Sequence, residues 1–138
     1  MTRFVVVDDS EEILQIWKRV LSREPECLAF FTTDPLRGLE EIKTHGADIL
    51  ITDFMMPVLS GFQLAKLAKK ISPQLQIFLT TGSFAQLEKE CLEDVLEVLQ
   101  KPYSDLKHVQ NFIHALALQQ PLDRSHCEVR GQIYLWSL

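Results

Sequence analysis

The chain has 138 residues, 46% hydrophobic and 24% charged, with a net charge of −5 at pH 7. That length gives one domain with a core of ordinary size, and an acidic balance with no basic block excludes nucleic acid or an anionic membrane as the expected partner. Three cysteines, Cys27, Cys91 and Cys127, without any C-x-x-C pair, exclude a disulfide framework and a zinc ribbon and point to reduced thiols in a cytoplasmic protein. Residues 4–7 read as a buried strand too short for a signal peptide, and no segment is suited to spanning a bilayer. Ser10 is the expected N-cap of a first helix, with Glu11 and Glu12 at the positive end of its dipole. Ile13, Leu14, Trp17, Val20 and Leu21 recur at helical spacing, and Pro25 stops the helix.

A short second strand follows over 27–31. Asp34-Pro35 opens a helix carried by Leu36, Leu39 and Ile42 and ended by Gly46. Residues 48–52 are the third strand. The loop 54–61 leads into a helix expected to pack through Leu64, Leu67, Ala68 and Ile71, and Pro73 breaks it. Strand four is 76–81. Gly82 and Ser83 turn the chain into a helix over 84–94, and residues 95–100 make strand five. Ser104 caps a last helix with Leu106, Val109, Ile113 and Leu116 on one face. Five successive β-α units imply an α/β fold with a parallel sheet covered on both faces. Residues 120–138 fall outside the repeat: Pro121 ends the last helix, and the polar stretch after it gives way to an apolar end at 132–138. They are expected to be a tail, the cut start of something longer, or an extra segment packed on the domain or on a second copy in a homodimer.

The chemistry-bearing residues sit where strands end. Asp8 and Asp9 close the first apolar run, Asp53 the third, and Lys101 follows the fifth, next to Pro102. Right-handed crossovers put these ends along one sheet edge, where open α/β sheets bind ligands. Three negative charges gathered there are costly unless a cation joins them. Asp9 and Asp53 could ligate a hard divalent cation such as Mg²⁺ directly, and Asp8 through water. Asp53 is the candidate nucleophile, and Lys101 supplies a monovalent positive charge. Alternation sends Thr80 and Thr81 to opposite faces, and Thr81, followed by small Gly82, is favoured as the hydroxyl for a phosphoryl oxygen. The histidines His45, His108, His114 and His126 show no metal-ligand spacing and read as ordinary surface or helix residues.

Taken together, Asp8-Asp9, Asp53 with Pro57 and Gly61, Thr81-Gly82 and Lys101-Pro102 resemble the receiver domain of the response regulators of two-component signalling, over residues 2–119. The resemblance implies a flavodoxin-like sheet of order 2-1-3-4-5. It implies a receiver domain over 1–119 with a tail over 120–138, and a Mg²⁺ site of Asp8, Asp9, Asp53 and the Met55 backbone carbonyl. It also implies phosphoryl transfer from a histidine kinase or phosphotransfer protein onto Asp53, and a partner-binding face over 84–119 that responds. Such a protein is a signalling phosphoacceptor rather than an enzyme. Three departures from the family pattern stand out, the first being Glu93-Asp94-Val95-Leu96 in place of the usual Gly-Ala turn before strand five. Val98 replaces the usual aromatic three residues before Lys101, and Met55 leaves no polar side chain to orient a hydrolytic water, so loss of the phosphoryl group is expected to be slow.

A phosphorylation-independent receiver-fold interaction module is the alternative. Val98 and the unusual turn before strand five favour it, and the intact set of charges argues against it. A phosphohydrolase with an aspartyl-phosphate intermediate needs a second acid near the nucleophile, and position 55 offers none.

Overall fold

Phe4 to Val7 are buried on both sides, and with Thr2 and Arg3 they make β1 (Thr2–Val7). The computed structural model describes residues 1–81, 97–100, 110, 111, 113, 114, 127–130 and 133–137. Helix α1 (Glu11–Leu21) starts where expected: Ser10 Oγ accepts from the Ile13 N–H at 3.4 Å. Leu14, Trp17, Val20 and Leu21 form its buried stripe. Strand β2 (Cys27–Thr32) leads to α2 (Pro35–His45), whose first turn is held by Asp34 Oδ1 accepting from Leu36 N at 2.9 Å. Gly46 ends α2 with φ +76°, a conformation that disfavours any side chain. Strand β3 (Ile49–Asp53), helix α3 (Gly61–Ile71) and strand β4 (Gln76–Thr81) complete the first part of the repeat.

Strands β5 (Glu97–Gln100), β6 (Cys127–Arg130) and β7 (Ile133–Ser137) join them in one sheet of order β2-β1-β3-β4-β5-β7-β6. The expected parallel order 2-1-3-4-5 is present within it. The addition lies beyond β5: β7 pairs parallel to β5, and β6 returns antiparallel on β7. The apolar end of the chain thus adds to a strand edge whose backbone groups would otherwise need water or another chain. The expected helices over 84–94 and 105–119 lie largely outside the described residues; within the second, Gln110, Asn111, Ile113 and His114 are helical.

Two cores lie on the two faces of the sheet. One joins Phe4, Val6, Ile49, Ile51 and Phe78 to Leu14 and Trp17 of α1 and to Ile113. The other joins Val5, Val7, Leu50, Ile77 and Leu79 to Ile42 of α2 and to Phe62, Leu64, Ala65 and Ala68 of α3. Even-numbered positions of β1 therefore share a face with the odd positions of β3 and the even positions of β4, as strand alternation requires.

Three expected packing residues point elsewhere. Leu36, Leu67 and Ile71 are exposed. On α2 the inward place is taken by Gly38, where a Cβ would come within 2.6 Å of Val7 Cγ2. On α3 the stripe runs through Gly61, Leu64, Ala65 and Ala68, leaving Leu67 on its flank and Ile71 at the helix end.

His114 is an exposed helical residue, as expected, and it also has a partner distant in the chain. Its Nδ1 lies 3.0 Å from Glu24 Oε2, and Gln110 Nε2 donates to Glu24 Oε1 at 2.8 Å. Glu24 is a buried carboxylate between α1 and β2, so these contacts tie the late helical residues to the start of the fold and satisfy a group costly to bury alone.

Burial first, then the charges of Glu24 and Glu26, push the Cys27 thiol above its ordinary range. Alkylation of Cys27 by iodoacetamide at about pH 7.5 is expected to run several-fold slower than that of free cysteine, because the thiolate reacts. Its rate should keep climbing with pH after the free thiol has levelled off. Peptide mapping that finds Cys27 labelled as fast as free cysteine would contradict this.

Candidate functional site at the carboxyl edge of the sheet

Strand pairing brings the acidic residues together. Val7 of β1 is in register with Thr52 of β3, so Asp8 and Asp53 come next on adjacent strands. Both follow residues of the α1-side core, Val6 and Ile51, and alternation turns both towards that face. Asp8 is 1% exposed and Asp53 7% exposed, whereas Asp9 is exposed. Each offers a carboxylate oxygen within 4.8 Å of the other two. Asp8 also organises the turn, its Oδ1 accepting from Ser10 N at 2.9 Å, so cap and acidic cluster share one short segment.

The backbone of Asp53 is fixed from several sides. The Thr52 hydroxyl donates to the Asp53 carbonyl at 3.1 Å. Phe54 N donates to Thr80 O, and Gly61 N to Phe54 O, both at 2.9 Å. Gly61 packs so closely that a Cβ there would lie 2.9 Å from the Asp53 carbonyl carbon, closer still to its oxygen, and 2.9 Å from Leu79 Cδ1. Helix α3 is then anchored by a capping box: Ser60 Oγ accepts from Gln63 N at 3.1 Å, and Gln63 Oε1 accepts from Ser60 N at 2.9 Å. The Ser-x-x-Gln spacing before an apolar run was a readable signal for this start. The intervening loop carries exposed Met55 and, at Val58, φ +72° on a branched side chain that is 79% exposed. That conformation costs on the order of 1–3 kcal/mol.

At the end of β4, Thr80 is the register partner of Asp53, and Thr81 lies one residue further. Both are buried. Thr81, like Asp53 and Asp8, takes part in interactions within the fold. Thr80 Oγ1 is the single buried side-chain polar atom without a hydrogen-bond partner among the described residues. Sequence reasoning weighed Thr80 and set it aside; its pairing with Asp53 is a tertiary fact. Of the other expected site residues, Met55 sits in the loop two residues after Asp53. Lys101, directly after β5, lies outside the described residues.

Three converging carboxylates, two of them buried, form an all-oxygen donor set suited to a hard divalent cation. The charges repel one another, and a cation between them relieves both the repulsion and the desolvation. The residues present therefore fit a Mg²⁺-type ion.

A doubly wound α/β domain with an acidic cluster at the carboxyl ends of β1 and β3 is the class that the fold and site define. The response regulator receiver domain model matches residues 4–113, and the chain belongs to that family. It is 30% identical over 139 residues to the heme response regulator HssR of Staphylococcus saprophyticus, across 100% of this chain and 59% of that protein. It is 26% identical over 114 residues to a protein-glutamate methylesterase/protein-glutamine glutaminase of Leptospira interrogans, across 78% of this chain and 32% of that protein. The chain thus spans 59% and 32% of the length of these two curated relatives, under two thirds in both cases. A response regulator receiver domain protein from Clostridium thermocellum superposes with a TM-score of 0.70 at 27% identity, covering 86% of this chain and 92% of that one. The fold is also that of Thermotoga maritima TrrA in complex with Mg²⁺-BeF, with a TM-score of 0.69 at 24% identity over 79% of this chain and 96% of that one. Among the described residues, no helix is long and apolar enough to cross a membrane.

Proposed function

We propose that the chain is a phosphoacceptor receiver that takes a phosphoryl group onto Asp53 from a histidine kinase or phosphotransfer protein. The observation that carries this is the convergence of Asp8, Asp9 and Asp53 to within 4.8 Å at the carboxyl edge of the sheet. Family membership supports it. In the proposed step an Asp53 carboxylate oxygen attacks phosphorus and a P–O bond forms. The P–N bond of the phosphohistidine breaks, its electron pair stays on the imidazole nitrogen, and Asp53 carries a mixed acyl phosphate. Asp8, Asp9, Asp53 and the Met55 carbonyl would hold Mg²⁺, which when bound neutralises charge on the phosphoryl oxygens. Thr81 would donate to one of those oxygens, and Lys101 would add a positive charge. The rigid backbone around Asp53 keeps the nucleophile in place, which is the larger part of what a protein does for this transfer.

The receiver is proposed to span 1–119, with 120–138 a segment added to its sheet. The output is proposed to be protein binding through the 84–119 face in the cytoplasm. Esterase chemistry is not part of the proposal, because the match covers only 32% of the methylesterase.

Incubation with acetyl phosphate and Mg²⁺ followed by intact-mass measurement tests the assignment. The wild type is expected to gain one phosphoryl mass and Asp53→Asn none. Equal gain by both would put the phosphoryl group elsewhere. No gain by either, with Mg²⁺ still bound, would favour the phosphorylation-independent interaction module.

A further inference from the structure

Thr80 is 1% exposed, and its hydroxyl has no hydrogen-bond partner. A buried hydroxyl in that condition has lost its water and gained nothing for it. Valine has nearly the same shape and would carry no such penalty, so the resting fold gives no reason for threonine here. The register supplies one. Thr80 is paired with Asp53 across β3 and β4, and strand residues in register send their side chains to the same face. That face is the α1 side, since Ile51 and Phe78, two residues before Asp53 and Thr80, both belong to its core. Ile77 and Leu79 belong to the opposite core, so Thr81 alternates away from Thr80. The two adjacent threonines thus flank the sheet edge beside Asp53 from opposite faces.

We propose that Thr80 Oγ1 is a reserve donor for the modified form of Asp53: once the acyl phosphate forms, this hydroxyl donates to one of its oxygens from the α1 side. The inference rests on the phosphoacceptor function proposed above. No proton or bond is exchanged by Thr80; it supplies one hydrogen bond to a group that gains oxygen acceptors on phosphorylation. The β3–β4 register places Thr80 beside Asp53 before any phosphoryl group arrives, so the cost is borne in the resting state and released in the phosphorylated one.

The test compares wild type, Thr80→Val and Thr80→Ser in the full chain. Thr80→Val is expected to raise the thermal midpoint in EDTA by roughly 3–8 °C, because it removes an unpaired buried hydroxyl. The same variant is expected to take up the phosphoryl group from acetyl phosphate and Mg²⁺ roughly tenfold more slowly, one lost hydrogen bond to a charged group. Thr80→Ser should restore most of that rate. A purely structural role moves stability alone, so Thr80→Val with wild-type phosphorylation kinetics would overturn the proposal. A lowered midpoint for Thr80→Val would also overturn it, by showing that the hydroxyl is used in the resting fold. Failure of the wild type itself to be phosphorylated would instead defeat the phosphoacceptor function on which the inference stands.

Discussion

Asp8→Asn is expected to raise the unfolding midpoint in EDTA by roughly 5 °C and to erase most of the rise that Mg²⁺ gives the wild type. The reasoning starts from the spacing. Two unit charges at about 4.8 Å repel by about 3.5 kcal/mol at an effective dielectric near 20, and Asp8 has two such neighbours in Asp9 and Asp53. Asp9 is exposed, so solvent screens its share, and about 1–2 kcal/mol of net relief is a reasonable expectation. Asparagine can keep accepting the 2.9 Å bond from Ser10 N through its own Oδ1, so the turn survives the exchange. The Mg²⁺ effect runs the other way. An ion at about a hundred times its dissociation constant stabilises the fold by about 2.7 kcal/mol, and losing one of three carboxylates removes most of that. Melting curves with and without Mg²⁺ check both halves. An unchanged Mg²⁺ response in Asp8→Asn would mean that the acidic cluster is not the cation site.

Gly61→Ala should cost about 3 kcal/mol, a fall of roughly 10 °C in midpoint, although one methyl group is all that is added. The atoms it meets are backbone, the carbonyl of Asp53, and beyond them Leu79 Cδ1. A flexible side chain could swing aside; a carbonyl at the end of a fully buried strand cannot. Either α3 tilts away, breaking the bond from Gly61 N to Phe54 O, or the end of β3 shifts and carries the Asp53 carboxylate with it. Mg²⁺ affinity should fall along with stability for the second reason. A midpoint within about 2 °C of wild type would show that the helix start gives way freely.

The acidic cluster was legible in the sequence because each member ends an apolar run, and a parallel sheet with right-handed crossovers can place such ends at one edge only. Helix starts at Ser10 and Asp34 were legible for the same local reason, a short polar side chain before an apolar stripe. What depended on contacts between distant segments was not. Gly61 could be seen as a marker of the loop, but its close approach to Asp53 exists only after α3 has docked. Leu36, Leu67 and Ile71 have helical spacing yet are exposed, because the glycines of α2 and α3 set the rotation of those helices against the sheet. The contact of His114 with Glu24 spans 90 residues and leaves no periodic trace. Thr80 and Thr81 could be separated by alternation, but that Thr80 is the one in register with Asp53 could be seen only from the pairing of β4 on β3. The apolar character of 132–138 was plain, while its position beside β5 was not, since a terminal strand can add to any open edge.

The placement of β7 alters what β5 is. In a five-stranded sheet β5 would be a border strand, its outer amides exchanging with solvent. Here β5 lies between β4 and β7 and becomes an interior strand. The connection from Gln100 to Ile133 must close before the β5–β7 pairing exists, so that protection is acquired late and lost early relative to the β1–β3 centre. Amide-hydrogen exchange at 97–100 would therefore report on the attachment of the last hairpin rather than on the global stability of the domain.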